Sequence, residues 1–248
     1  MNARNLSVTP AVREAGSLAE GELEAMFALF QRYYDATDYA RFLSDLANKS
    51  FVLLLHDEAG ALCGFSTLAV YERAWRAGIV RVIFSGDTVV DERYWGQQAL
   101  PFAWLRLAGE IKAQKPEAPL YWFLISKGHR TYRYLSAFSR EFFPAPDRQT
   151  PPAIAELMSF LARERFGDAY DPHGGVLRFS ASLGHLRAAY AEVSATHRRL
   201  PEVEFFLARN PGYARGDELV CLCELALGNL RPIARRAFRL GMRACALQ

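Results

Sequence analysis

Between residues 79 and 111 the hydrophobic period of the chain changes, and this switch constrains the fold more than any other feature of the sequence. Ile79 to Val90 is dense in β-branched residues (Ile79, Val80, Val82, Ile83, Thr88, Val89, Val90) and predicts one long strand, with Ser85-Gly86 as a bulge. From Gln97 onward Leu100, Ala103, Trp104, Leu107 and Ile111 form a stripe at helical spacing. Pro101 fits that helix only in its first turn, because it has no N–H to give. The helix therefore starts close to Gly96, directly behind the strand.

The flanking segments read as further elements. Ser17-Leu18-Ala19-Glu20 has the spacing of a capping box, and Leu23, Met26, Phe27 and Phe30 follow at helical intervals. Tyr39, Phe42, Leu43 and Leu46 repeat the pattern after a start at Thr37 or Asp38. Phe51 to His56 reads as a buried strand, Asp57-Glu58-Ala59-Gly60 as a turn and Ala61 to Tyr71 as the antiparallel partner. Leu120 to Ile125 is another buried strand and Thr131 to Phe138 another helix. Pro144, Pro146, Pro151 and Pro152 crowd together and mark a boundary, giving a core of residues 1–145 and an extension or subdomain of 146–248. In the second part Ile154, Leu157, Met158 and Leu161 predict a helix ended by Gly167, and Leu183, Leu186, Tyr190 and Val193 predict another. Val176 to Ser180, Val203 to Leu207 and Leu219 to Leu225 read as strands.

Composition narrows the class. With 51% hydrophobic residues in 248, the chain is globular, with material for a real core. Its uninterrupted apolar stretches, such as Phe51 to Leu55, are far short of the roughly 20 residues that span a bilayer. No apolar run precedes a small-residue cleavage site near the N-terminus, so the expected address is cytoplasmic. Cys63, Cys221, Cys223 and Cys245 are too few for a disulfide framework, and no Cys-x-x-Cys or close His pair offers zinc its ligands. Cys221 and Cys223, two apart on a strand, share a face and read as packing residues. The net charge of +3 is local: the last twenty residues hold Arg231, Arg235, Arg236, Arg239 and Arg243 and no acid.

The segment with chemistry in it is Val89-Val90-Asp91-Glu92-Arg93-Tyr94-Trp95-Gly96-Gln97-Gln98. A loop leading into a helix start presents unpaired amides and the positive end of the helix dipole, and a glycine lets backbone approach an anion closely. The same turn also serves a purely steric purpose in many folds.

The order helix, helix, hairpin, long strand, Arg- and Gly-bearing loop, helix, strand, helix resembles the GNAT acyltransferase superfamily over about residues 6–143. In that family the loop after the fourth strand reads Arg or Gln, two residues, Gly, one residue, Gly or Ala, and its amides hold the pyrophosphate of an acyl-CoA. Arg93 and Gly96 match this pattern. Gln98 stands where the small residue is expected, which leaves the donor open between acyl-CoA or acetyl-CoA and acyl carrier protein. Gly64 also lies where such proteins commonly have a glycine. The resemblance implies an α/β (α+β) fold with a mixed, mostly antiparallel central sheet flanked by helices. It further implies that Val89 and Val90 give backbone hydrogen bonds to the donor's pantetheine arm, in a cleft where the fourth and fifth strands splay. Arg93, Tyr94, Trp95, Gly96, Gln97 and Gln98 would cradle the diphosphate, and an amine would attack the thioester from the other side. No metal is implied.

That step needs a base for the ammonium proton and an acid for the departing thiolate. For the acid the family places a tyrosine on the helix after the fifth strand. Tyr132 and Tyr134 are both there, and Tyr134, eight residues beyond Ser126, fits the spacing better. For the base, Asp87 on the long strand faces the cleft if the strand is regular; Glu92 and His129 are alternatives. No Ser-His-Asp order or Gly-x-Ser-x-Gly elbow occurs. Arg231, Arg235, Arg239 and Arg243 step by four and line one helical stripe, which reads as a solvated face or as a contact for acidic acyl carrier protein or anionic lipid. The stripe is too short, and too poor in aromatics, for nucleic acid. Two functions remain open from sequence: an N-acyltransferase in which residues 146–248 serve the acceptor or a partner, and a non-catalytic binding module of the same fold.

Overall fold

The computed structural model describes residues 7–180 and 183–245. Its strands and helices run in the order β1 (Val8–Glu14), α1 (Glu20–Tyr33), β2 (Tyr34–Asp35), α2 (Tyr39–Leu46), β3 (Phe51–Asp57), β4 (Leu62–Trp75), β5 (Gly78–Val90), α3 (Ala99–Gln114), β6 (Leu120–Ser126), α4 (His129–Phe138), α5 (Pro152–Phe166), β7 (Tyr170–Asp171), β8 (Val176–Leu177), β9 (His185–Leu186), α6 (Ala188–Ala191), α7 (Ala195–Arg198), α8 (Pro201–Arg209), β10 (Glu218–Glu224) and α9 (Pro232–Cys245). Eight strands form one sheet in the order β1-β3-β4-β5-β6-β10-β8-β7, and β2 and β9 form a small second one. Every recorded pairing is antiparallel except β5 with β6. This is the mixed, mostly antiparallel sheet flanked by helices that the order of elements implied.

Alternation along the strands assigns the two faces. Leu53, Leu55, Ile83, Trp122, Leu124, Cys221 and Cys223 share a core with residues of α3, α4 and α9. Val82, Phe84, Phe123, Val220 and Leu222 pack with α5. Val52, Leu54, Phe65 and Val89 pack with α1 and α2. Cys221 and Cys223 are buried free thiols on one face, whereas the Cys245 side chain lies outside the described residues, as does Leu6 at the edge of the family likeness. The cluster of prolines does not interrupt the sheet, because β10 from beyond it pairs with β6 from Leu219↔Ser126 to Glu224↔Tyr121.

Several expectations are corrected by the structure. The first helix is capped at Ala19, whose amide donates to Glu22 Oε2 at 2.9 Å, while Ser17 Oγ donates to the Glu14 carbonyl. A 3₁₀ turn at Ala15–Ser17 uses the serine before the helix begins. The second helix does start at Asp38, whose carboxylate accepts from the Arg41 amide at 2.8 Å. Val203 to Leu207 is helix α8, not a strand: Pro201 opens it, Glu202 and Glu204 complement its dipole, and Val203 and Phe206 bury one face. Of the helix expected over Leu183 to Val193 only the single turn α6 forms. Leu186 and His185 instead pair with Tyr34 and Asp35, and the Arg187 amide donates to the Tyr33 carbonyl. The predicted bulge is real but one residue on: Ser85 stands opposite Leu68 and Thr88 opposite Ser66, so Gly86 and Asp87 together face Thr67.

Candidate active site

That bulge builds the site. β5 and β6 run side by side only from Arg81↔Leu120 to Ser85↔Leu124; beyond it Thr88 to Val90 keep their β4 partners and no longer pair with β6. The parted strands open a cleft of about 680 Å³, walled by α1, α2, the Tyr94–Gln97 segment and α4. Gly86 is needed where the strand turns away, because a Cβ there would sit 2.5 Å from both Lys49 Cε and Thr67 Oγ1.

Asp87 lies on the floor of the cleft, placed there by the bulge rather than by regular strand alternation. Around it are Tyr34, Lys127 and Glu218, all cleft-lining, and the Asp45–Lys49 ion pair. Lys127 Nζ stands 3.5 Å from Glu218 Oε1. No ion pair among the described residues closes on Asp87. Burial raises its carboxyl pKa above the ordinary carboxylate range; Lys127 and Lys49 oppose this and Asp45 reinforces it. Burial likewise raises Glu218, with Lys127 opposing. For Lys127 burial acts downward, but Glu218 and Asp87 outweigh it and hold the ammonium above its usual value.

Of the two tyrosines on α4, Tyr132 is core: it is fully buried and its hydroxyl donates to the Pro144 carbonyl at 2.8 Å. Tyr134 lines the cleft, and burial raises its pKa, which keeps the phenol protonated. His129 also lines it, 2% exposed, with Nε2 unpartnered. Burial, then Arg130 and His197, push its pKa down to about 4, so it is neutral at neutral pH. Glu92 does not line the cleft.

The loop between β5 and α3 meets the cleft through Tyr94, Trp95, Gly96 and Gln97. Gly96 adopts φ +91°, and the first turn of α3 follows at Ala99 with Pro101 inside it. Val89 buries its side chain against α1 and α2 and also borders the cleft. Three side chains of this loop are tied to groups in the same segment. Arg93 turns onto Asp91, with Nε–Oδ1 2.9 Å and Nη2–Oδ2 3.1 Å, and does not line the cleft. Gln98 folds back to donate to the Gly96 carbonyl at 3.0 Å. Trp95 donates its indole N–H to the Val90 carbonyl at 2.8 Å and packs edge-on to Tyr190, with the Arg130 guanidinium 4.4 Å over its ring.

Asp91 is the loop's anchor and carried no signal in the sequence. Its side chain is 1% exposed and accepts from Arg93, from the Arg93 amide and from Arg32 Nη1 at 2.7 Å. Burial pushes its pKa up, but those donors outweigh it and the carboxyl sits below the usual range. Asp91→Asn is expected to cost about 2 kcal/mol of stability, the range of hydrogen bonds to a charged group. Because the folded-state pKa is depressed, that stability is present above the unfolded value of about 3.9 and lost as pH falls through the folded one. The wild-type advantage in unfolding midpoint should therefore vanish in acid. Lys127, Lys49 and Glu218 were missed as well, because positions 49, 127 and 218 carry no spacing that signals their meeting at Asp87.

Among solved structures the chain is similar to three acyltransferase-like folds at low identity. Against a GNAT family N-acetyltransferase from Escherichia coli in complex with CoA it shows 15% identity and a TM-score of 0.37, over 53% of this chain and 69% of that one. Against an acyl-CoA N-acyltransferase from Pseudomonas aeruginosa it shows 18% identity and 0.37, over 53% and 88%. Against a conserved protein of unknown function from Enterococcus faecalis V583 it shows 15% identity and 0.39, over 54% of this chain and only 33% of that one. No protein-family model and no curated protein matches the sequence. What the chain can do chemically has to be argued from the cleft itself.

Proposed function

We propose that the protein is an N-acyltransferase that moves an acyl group from a thioester donor, acyl-CoA or acyl carrier protein, to an amine in a ternary complex. The observation that carries this reading is the splay of β5 from β6 at the Gly86–Asp87 bulge, which puts an acid, a cleft-facing tyrosine and a helix start around one cavity. The donor's arm lies along the edge of Thr88 to Val90, and its diphosphate meets the amides of Gly96 and of the first turn of α3, the Gln97 amide being held by the Tyr94 carbonyl. Asp87 takes the ammonium proton, the amine nitrogen attacks the thioester carbonyl, the C–N bond forms, the C–S bond breaks, Tyr134 protonates the leaving thiolate, and the second proton shed by the nitrogen as it becomes an amide returns the phenolate to phenol. Residues 146–248 supply the acceptor side through Arg165, Phe166 and Tyr190, which line the same cavity. Calorimetric titration with acetyl-CoA, longer acyl-CoA and acyl carrier protein tests the proposal; heat of binding from none of the three would end it.

One observation favours the second reading, a non-catalytic binding module. Trp95 holds the Val90 carbonyl that the donor's arm would use, and Tyr190 and Arg130 pack against that indole. Trp95→Phe keeps the ring and removes the N–H. If the cleft takes a thioester donor, the variant should bind it about fivefold more tightly, the value of one neutral hydrogen bond of about 1 kcal/mol. A chain that binds no thioester either before or after this substitution is a module of another kind.

A further inference from the structure

Helix α9 has two outer features that the proposed function does not use. Its inner face is packed against α3 through Ala234, Phe238 and Gly241. On its outer side Ile233 is 69% exposed and Leu240 53%, two turns apart and so about 10 Å apart along the axis. Arg236, Arg239 and Arg243 are exposed beside them, and Arg235 is half-buried. None of these four arginines closes an ion pair among the described residues. Arg231 stands apart: it precedes the helix, and its Nε donates to the Ser139 carbonyl at 3.1 Å. The residues from Asn229 to Gln248 contain no acid to offset this charge.

We propose that the outer face of α9 is an interfacial helix that holds the protein on an anionic lipid surface. Aliphatic side chains standing out of a helix that is already packed on its inner face cost free energy in water, and a flanking arginine row lets them enter the headgroup region while the guanidinium groups stay with the phosphates. Charge complementarity selects an anionic surface: each basic residue near such a membrane contributes about 1 kcal/mol, or roughly fivefold in partitioning. The pairing of exposed aliphatics with the arginines favours lipid over an acidic protein, for which the arginines alone would serve.

The test is co-sedimentation of the full chain with vesicles of phosphatidylcholine alone and of phosphatidylcholine containing about one-third phosphatidylglycerol, at low salt and at about 0.5 M salt. Binding is expected only to the anionic vesicles, weakening with salt. The triple variant Arg236→Glu, Arg239→Glu, Arg243→Glu should lose at least about hundredfold in partitioning. Ile233→Ser with Leu240→Ser, which changes no charge, should weaken binding several-fold with an unchanged unfolding midpoint, so a misfolded triple variant would not leave the question open. No preference for anionic vesicles, or binding that survives both sets of substitutions, overturns the proposal. So does capture of acyl carrier protein through these arginines by a chain that leaves the vesicles in the supernatant.

Discussion

Asp87→Asn is expected to lower turnover with a competent amine by about 10²- to 10⁴-fold, the usual worth of a positioned general base, while raising the unfolding midpoint. The two effects have one cause. Asp87 is a half-buried carboxylate in the cleft with no ion pair closed on it among the described residues, beside Lys127, which already has Glu218, and Lys49, which already has Asp45. Its charge costs stability, and its raised pKa makes it a better proton acceptor than a solvated carboxylate. The sign with pH follows. A folded-state pKa above the unfolded value stabilises the fold at low pH, and that contribution is lost as pH rises through the folded pKa. The Asn variant should therefore match wild type in acid and exceed it at neutral pH. Turnover of the wild type should climb over the same range as the carboxylate ionises. Stability profiles recorded across pH, paired with initial rates, check both halves. An Asn variant that turns over normally removes Asp87 from the mechanism, and one that is less stable at neutral pH shows the carboxylate to be a structural partner.

Gly109→Ala is expected to be among the most damaging single methyl additions in the chain. Gly109 on α3 and Gly241 on α9 let the two helices cross with backbone against backbone. A Cβ at Gly109 would fall onto the Phe238 carbonyl, and one at Gly241 onto the Arg106 carbonyl. Neither obstacle is a side chain that can rotate aside, so the helices must separate and uncover Ala234 and Phe238. Overpacking of this kind costs about 3 kcal/mol, or a fall in unfolding temperature of about 6–12 °C for a chain of this size. Gly21→Ala in α1 is the matched control. Nothing lies within 4 Å of a Cβ there, and replacing a helical glycine should stabilise by up to about 1 kcal/mol. Equal behaviour of the two variants in thermal unfolding would show that α9 is not clamped to α3 as described.

Where the hydrophobic period alone decides, the sequence was legible. Residues such as Phe51 to Leu55 and Leu120 to Ile125 can bury both faces only as inner strands, and the β3–β4 hairpin, β5, α3 and β6 follow from local pattern. Tyr134, which the family likeness favoured over Tyr132, is the one of the two that lines the cleft. The second half was read less well because its elements are short and take their form from distant partners. The Leu183 to Val193 stripe has helical spacing, yet a two-residue ladder with Tyr34–Asp35 and the bond to the Tyr33 carbonyl hold residues 185–187 out of helix and leave only the turn α6.

The local alternation of apolar and polar side chains was thus enough to determine the β3–β4 hairpin, β5, β6 and helices α1 to α4, because each must hide one side from water, but not the edge strand β1 or the short β2, which carry no such pattern and take their form from the strands they pair with. What only the tertiary structure decided is the company each charged or aromatic group keeps. Arg93 is held by Asp91, Trp95 by the Val90 carbonyl, and Asp87 is ringed by Lys127, Glu218 and the Asp45–Lys49 pair. Those neighbours come from segments up to about 130 residues away in the chain, and ionic and hydrogen-bonding forces depend on distance in space, which no spacing in sequence encodes.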